Sequence, residues 1–490
     1  MPFGNLPTEL LSEMVSHLGA ADLRNLRLVN KKLSAIASRL VMKRITFAMC
    51  KQDFDMLLSI ADHPVYSEYV STLVYNADVM RLDRANLALF RANIQNTSRI
   101  DKKLNLQALE VSDDIIEERY RQYNRLFDEQ QDILANNTNF AVLKHAVSKF
   151  SNLREIVVCC GGEMGSHRRA DRVLLYSYQL TSEGMTDGTG AARHLESLLQ
   201  AVEAADTKLD RVRAGKMHVS FFDPLRFELQ SLEFLSNVTI FDIVIQVIQP
   251  PPGLYSDEPS MNTVQKQIRD CRKVMAKGTL RRVLDSMPHL VSLRLIVEED
   301  HSFDYDAFRG PVLWDHIMPE GKVWPRLKNF SLGDIETDRD QLVAFLVKHK
   351  DTLVTLEMEY MRLKSTSWMK LLPQLRKGFR GSPAKKIVFS RVLIGASEDD
   401  GHPPEQWLLG NPDIDREPHP LEVRINEYLN CSGPKKGCPL RVDNMWGYDE
   451  DDWSDVHGSD GDNQDSAVDG DDNGDWISHF DGEDEDEDVA

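Results

Sequence analysis

One short spacing recurs through the middle of the chain and constrains its fold more than any other feature. Phe150-Ser151-Asn152-Leu153 leads to Ile156 and Val158, and Met287-Pro288-His289-Leu290 leads to Leu293 and Leu295. Trp324-Pro325-Arg326-Leu327 leads to Phe330 and Leu332, and Lys350-Asp351-Thr352-Leu353 leads to Leu356 and Met358. Apolar residues two apart belong to a strand with one buried face. Less distinct units stand at Leu209, Leu235 and Ala384, and helical periodicity fills stretches between them, at 195–202, 338–348 and 368–375. A strand followed by a helix cannot bury its apolar face alone, so such units must stack on one another. The richest apolar run, Phe241 to Ile248, is too short to cross a bilayer and reads as one more buried strand.

The L-x-x-L-x-L spacing resembles the strand of leucine-rich repeats. That resemblance implies an α/β array over residues 151–430, with the strands lining one face and a partner protein held against them. Glu298, Ile335 and Met361 stand where such repeats usually place an Asn or Cys, and the units are unequally spaced, so the expected array is irregular. The segments 249–264, with Pro250-Pro251-Pro252, and 395–420 interrupt the pattern and are candidate contact loops.

The N-terminus follows a different pattern. Leu6-Pro7-Thr8-Glu9-Leu10-Leu11 opens a helix: Pro7 suits the first position, and Glu9 meets the positive end of the dipole. Leu10, Leu11, Met14, Val15 and Leu18 share a broad helical face, with Gly19 expected to stop the helix. Asp22 is the expected cap of a second helix carrying Leu23, Leu26 and Leu28. Asn30 is the expected cap of a third, with Leu33, Ile36, Ala37, Leu40 and Val41 on its inner stripe. Three helices in about 40 residues cannot hide that much apolar surface among themselves, so part of it must meet something else.

Leu6-Pro7-x-Glu9-Leu10, then Leu18, Asp22-Leu23 and Leu26-Arg27-Leu28-Val29-Asn30-Lys31, resembles the F-box, and Lys43-Arg44-Ile45-Thr46-Phe47 is similar to its end in fungal members. The resemblance implies docking on the Skp-type adaptor of a cullin-RING ubiquitin ligase through Leu6, Pro7, Leu10, Met14, Leu18, Leu23, Leu26 and Val29. It also implies a non-catalytic, substrate-recognition role, with an unnamed target protein held by the later region. The expected organisation is an F-box at 1–48, a mostly helical connection at 49–150, the repeat-like region at 151–430, a linker at 431–446 and a disordered acidic tail at 447–490.

Charge sharpens that division. The chain of 490 residues carries a formal charge of −20, yet residues 447–490 hold 19 Asp and Glu and no Lys or Arg. The remainder is nearly neutral and offers no general basic surplus for nucleic acid. A tail of acids with Trp453, Trp476, Ile477 and Phe480 among them supports a rival reading, a binder of basic proteins. A second rival is an F-box scaffold that assembles no ligase.

No catalytic constellation emerges, and no cofactor or metal is expected. Gly161-Gly162-Glu163-Met164-Gly165 lacks both the phosphate-loop Lys and the dinucleotide spacing, and His167-Arg168-Arg169 reads as a solvated basic patch. Asp469-Gly470-Asp471-Asp472-Asn473-Gly474-Asp475 starts like a calcium loop but places Phe480 where the bidentate Glu belongs. His17, His63, His145, His289 and His349 have no matching ligands at metal spacing, and the six cysteines form no C-x-x-C. With no basic-then-apolar leader at Met1–Asn5, the expected compartment is the cytoplasm, the nucleus or both, with no membrane contact.

Overall fold

A computed structural model describes residues 6–76, 87–88, 90–91, 113–159, 188–223, 231–247, 261–298, 310–379, 386–396, 405–409, 419–430 and 437–440. The fold is mixed α/β, built on one mostly parallel 12-stranded sheet.

The chain begins with three helices, α1 (Thr8–Ser16), α2 (Ala20–Leu26) and α3 (Lys31–Met42). Pro7 is the cap residue before α1, and Glu9 lies in its first turn. The helix ends at Ser16, ahead of Gly19, which instead precedes α2 as its cap. Asp22 therefore sits inside the first turn of α2 rather than capping it. Asn30 caps α3 as expected: its Oδ1 accepts the Leu33 N–H at 2.9 Å. Leu11, Val15, Leu23, Leu33, Ile36 and Ala37 form a small core, with Leu6, Leu26, Leu40 and Val41 packed on it.

The sheet starts directly after α3. Strand β1 (Arg44–Ala48) pairs with β2 (Thr72–Asn76) across the helix α4 (Lys51–Ala61), and both belong to the large sheet. The sheet thus begins within the segment assigned from sequence to the end of the helical module. It continues through a stretch expected to be mainly helical, where the helices Asp113–Ala135 and Thr138–Lys149 lead to β3 (Glu155–Cys159).

Strands β4 (Arg211–His218), β5 (Ile240–Gln246), β6 (Ser292–Glu298), β8 (Asn329–Gly333), β10 (Thr355–Leu363) and β11 (Lys386–Gly395) follow, each parallel to the last. The short β7 (Val312–Leu313) and β9 (Ile335–Thr337) pair with each other, and β9 also pairs with the far end of β10. Among the described strands only β12 (Glu405–Leu408) is antiparallel, closing the edge on β11. Sequential order without reversal distinguishes this sheet from a doubly wound one, which would offer a ligand crevice at a switch point.

Register explains the recurring sequence spacing. Leu73, Ile156, Val212, Phe241, Leu293, Phe330, Leu356 and Ile387 stand side by side across the sheet. The residues three before them, Val70, Leu153, Leu209, Val238, Leu290, Leu327 and Leu353, are all fully buried where described. The unit expected at Leu235 is therefore set by Val238, and an additional unit runs through Val70, Leu73 and Tyr75. At each joint one carbonyl accepts two successive N–H groups of the next unit. Lys43 binds Ser71 and Thr72, Ser71 binds Arg154 and Glu155, and Val291 binds Lys328 and Asn329, all at 2.8–3.0 Å. Among the expected helices, Gly188–Ala204, Arg339–His349 and Trp368–Gly378 cover 195–202, most of 338–348 and 368–375.

The apolar residues that replace a polar turn ladder are buried: Ile335 and Met361 have no exposure. They extend the core past the usual strand end, where a register shift between Glu359 and Met361 bends β10.

The segment assigned as a linker is partly folded. Leu440 is buried in the main core, and Cys438 packs beside it. Pro373, inside the helix Trp368–Gly378, lacks the N–H that would bond the Met369 carbonyl, and Cys438 Sγ lies 3.9 Å from that oxygen. Residues 447–490 and 160–187, with the acidic tail, the calcium-loop fragment and the Gly161–Gly165 stretch, lie outside the described residues.

Candidate functional site

Two surfaces are set up by this architecture. The first is on the three N-terminal helices. Residues four apart on a helix lie one above the other. In α1 the stripe Leu11 and Val15 turns inward, while Leu10 and Met14 are 54% and 49% exposed, with Leu18 just beyond the helix at 39%. The five apolar residues expected on one face thus divide into a buried stripe and an exposed one. Leu28 and Val29, between α2 and α3, stand further out, at 86% and 63%.

Of the expected docking residues, Pro7, Leu10, Met14, Leu18 and Val29 are exposed, Leu6 and Leu26 are half-buried, and Leu23 faces the small core. Lys32 Nζ donates to the Leu6 carbonyl at 2.7 Å, tying the chain entry to α3. Leu28, exposed most of all, was named from sequence as a residue of the second helix and of the F-box-like motif, but not among the docking residues. Its side chain lies past the end of α2, where no helical stripe requires it to turn inward.

The second surface is the sheet face turned away from the helices. Side chains alternate along a strand, so the residue inside each L-x-L unit points out. Val157, Arg213, Asp242, Arg294, Ser331, Glu357 and Val388 form that row, with Val157 at one end buried in a small cluster with Val74 and Cys159. Asp242 accepts from two guanidiniums: Arg213 at 3.3 Å through Oδ2, and Arg294 at 3.1 Å through Oδ1. Farther along, Lys386 pairs with Glu357 at 2.6 Å and Arg391 with Glu359 at 3.1 Å. Arg391 also lies over the Tyr360 ring, 5.2 Å from its centre. Gly333 sits where a Cβ would come within 3.0 Å of Glu359 Cγ and the Ile296 side chain, so the face is closely packed there. Sequence analysis named no residue on this surface, although the position between the paired leucines was the signal for it.

The expected contact loops are only partly described. Residues 261–264 begin the helix Met261–Ala276, 405–408 form β12, and 249–260 lie outside the described residues.

The buried titratable groups serve the core. His349 Nε2 accepts the Trp324 N–H at 3.0 Å and Nδ1 faces the Phe345 carbonyl at 2.8 Å. That pairing fixes the neutral Nδ1–H tautomer, and burial holds its pKa below the usual imidazole range. His194 is enclosed beside Tyr75, with ring centres 4.8 Å apart and, among the described residues, no hydrogen-bond partner on either nitrogen. Burial lowers its pKa to about 3 and raises that of Tyr75. His145 and Asp62 form an exposed pair at 2.8 Å. Among the described residues no group of three His, Cys, Asp or Glu could hold a metal, and no helix is long and apolar enough to cross a membrane.

No protein-family model matches the chain, and no curated protein matches it in sequence.

Proposed function

We propose that this chain is the substrate-recognition subunit of an SCF-type cullin-RING ubiquitin ligase. In this reading α1–α3 are a fungal-type F-box that docks on a Skp-type adaptor, and the sheet is an irregular leucine-rich-repeat-like array that presents a target protein. One observation carries it. A three-helix module with its own small core leaves Leu10, Met14, Leu18, Leu28 and Val29 exposed within 20 residues, whereas the other exposed large apolar residues among those described, Val65, Val323, Val347, Leu408 and Val423, are scattered along the chain. An apolar helical face of this kind gains most by entering a partner's groove. Burying a Leu or Met side chain gives about 1.5–3 kcal/mol, enough for a few such residues to anchor a complex.

The mechanism asks for no nucleophile in this chain. Holding a target beside a charged ubiquitin carrier turns a bimolecular encounter into an effectively intramolecular one. The test is co-purification from the chain's own cell extract. Wild type captures the adaptor and a cullin; Leu10→Asp/Met14→Asp, altered only at exposed positions, stays folded and loses both. Capture of the adaptor without a cullin supports the scaffold reading instead.

The 19 acidic residues of the tail favour one further reading, a binder of basic proteins. Deleting 448–490 separates the two. The ligase reading keeps the adaptor without the tail, whereas the tail reading loses all partners and loses them in high salt.

A further inference from the structure

We propose that the outward row of β4, β5 and β6 is an anion-accepting site for an acidic peptide segment, centred on Arg213 and Arg294. The inference rests on the reading of the sheet face as target-presenting and gives that target its chemistry.

Charge balance on the face is uneven. On β10 and β11 two cations have carboxylates of their own, Lys386 with Glu357 and Arg391 with Glu359. On β4–β6 the outward positions carry Arg211, Arg213 and Arg294 against Asp242 and, at the far end of β6, Glu298. Asp242 is shared by Arg213 and Arg294, and among the described residues neither has another ion pair. Arg211 is exposed and makes no ion pair among the described residues. Its neighbour across the register is Glu155, whose carboxylate accepts the Thr72 hydroxyl at 3.1 Å. The next strand outward, β8, contributes the uncharged Asn329 and Ser331.

The two central guanidiniums are positioned rather than loose. Asp242 is only 13% exposed and binds one with each oxygen, while Arg213 and Arg294 remain 33% and 42% exposed. A guanidinium carries five N–H donors; Arg213 spends two groups on Asp242 and Arg294 one. The remaining donors can meet a second carboxylate without breaking the first contacts. Holding the guanidiniums before the ligand arrives lowers the ordering cost of binding.

The size of the patch selects the ligand. Strands lie about 4.8 Å apart, so β4 to β6 spans about 10 Å. That suits two or three carboxylates of a short peptide, whereas a nucleic acid would need a longer basic stripe. The near-neutral charge of residues 1–446 argues the same way.

The test is fluorescence anisotropy of the full-length chain with fluorescein-labelled hexaglutamate, with hexaglutamine and a phosphoserine-containing hexapeptide as comparison probes. Hexaglutamate is expected to bind at low salt, to release in 0.5 M salt, and to bind at least tenfold more weakly to Arg213→Gln/Arg294→Gln. Arg339→Gln, a change on a distant helix, should leave binding unaltered, and Arg294→Lys should weaken it less than Arg294→Gln. A phosphoserine peptide that binds while hexaglutamate does not would overturn the carboxylate assignment. Equal binding of hexaglutamine, equal binding by the double variant, or no binding by wild type would overturn the site. The double variant should still capture the adaptor, so failure here and failure of the ligase reading give different results.

Discussion

The N-terminal helices and the sheet use leucine in opposite ways. In the sheet, Leu293, Phe330 and Leu356 sit side by side with no exposure, and units from Val70 to Leu353 contribute to one continuous core. In α1–α3 six residues make a separate small core, and apolar side chains of equal size remain outside it. The difference is one of neighbours. A strand with units on both sides is packed along its whole apolar face, whereas the three short helices bury apolar side chains mainly against one another. Under the reading proposed above, the apolar surface left over on α1–α3 serves a partner, and the apolar surface within the stack is structural.

The comparison can be broken most readily from the sheet side. Phe330→Ala removes a fully buried ring packed 4.7 Å from Phe345 and should cost about 3–5 kcal/mol in urea unfolding. A loss below about 1 kcal/mol would mean the units are not a shared core. Leu11→Ala in the small core should cost about 2–4 kcal/mol, while Met14→Ala, one turn along on the exposed stripe, should stay within about 0.5 kcal/mol. Equal costs would erase the distinction between the two stripes of α1.

Acid sharpens the same contrast, because His194 belongs to the main core. Its pKa is about 3 when folded against 6.5 ordinarily. Between those values the unfolded chain binds a proton that the folded chain does not, so stability is full above pH 6.5 and declines as pH falls. Going from pH 7 to pH 5 should cost about 2 kcal/mol, and His194→Phe should remove that part of the slope. Comparing urea midpoints at both pH values in the two proteins measures it. A smaller effect than the acid one is local. Asn30→Ala removes the cap of α3 and should cost about 1 kcal/mol, without changing the pH dependence.

Much of this was legible in residues. The cap at Asn30, the inward stripe of α3, the strand at Phe241 and the helices near 195, 338 and 368 follow from spacing, because periods of two and of 3.6 residues express local geometry. Val238 rather than Leu235 takes the place of Leu290 and Leu327 in its unit, although both are buried, because pairing with β4 and β6 decides the register. The strand β2 coincides with the one strand-like stretch in the otherwise helical region after residue 49, but its place in the large sheet is set by pairing with β1 and β3. Leu440 joined the core because Pro373 and the end of the sheet provided a seat that nothing near residue 440 announces.

The sequence by itself determined that strands and helices alternate, that the first helices carry more apolar surface than they can bury, and that acid is concentrated at the end. Only the tertiary structure decided which leucines of α1 face outward, where the sheet begins, and that Arg213, Asp242 and Arg294 share one row. Those outcomes depend on contacts between residues far apart in the chain, and local periodicity carries no record of which strand comes to lie beside which.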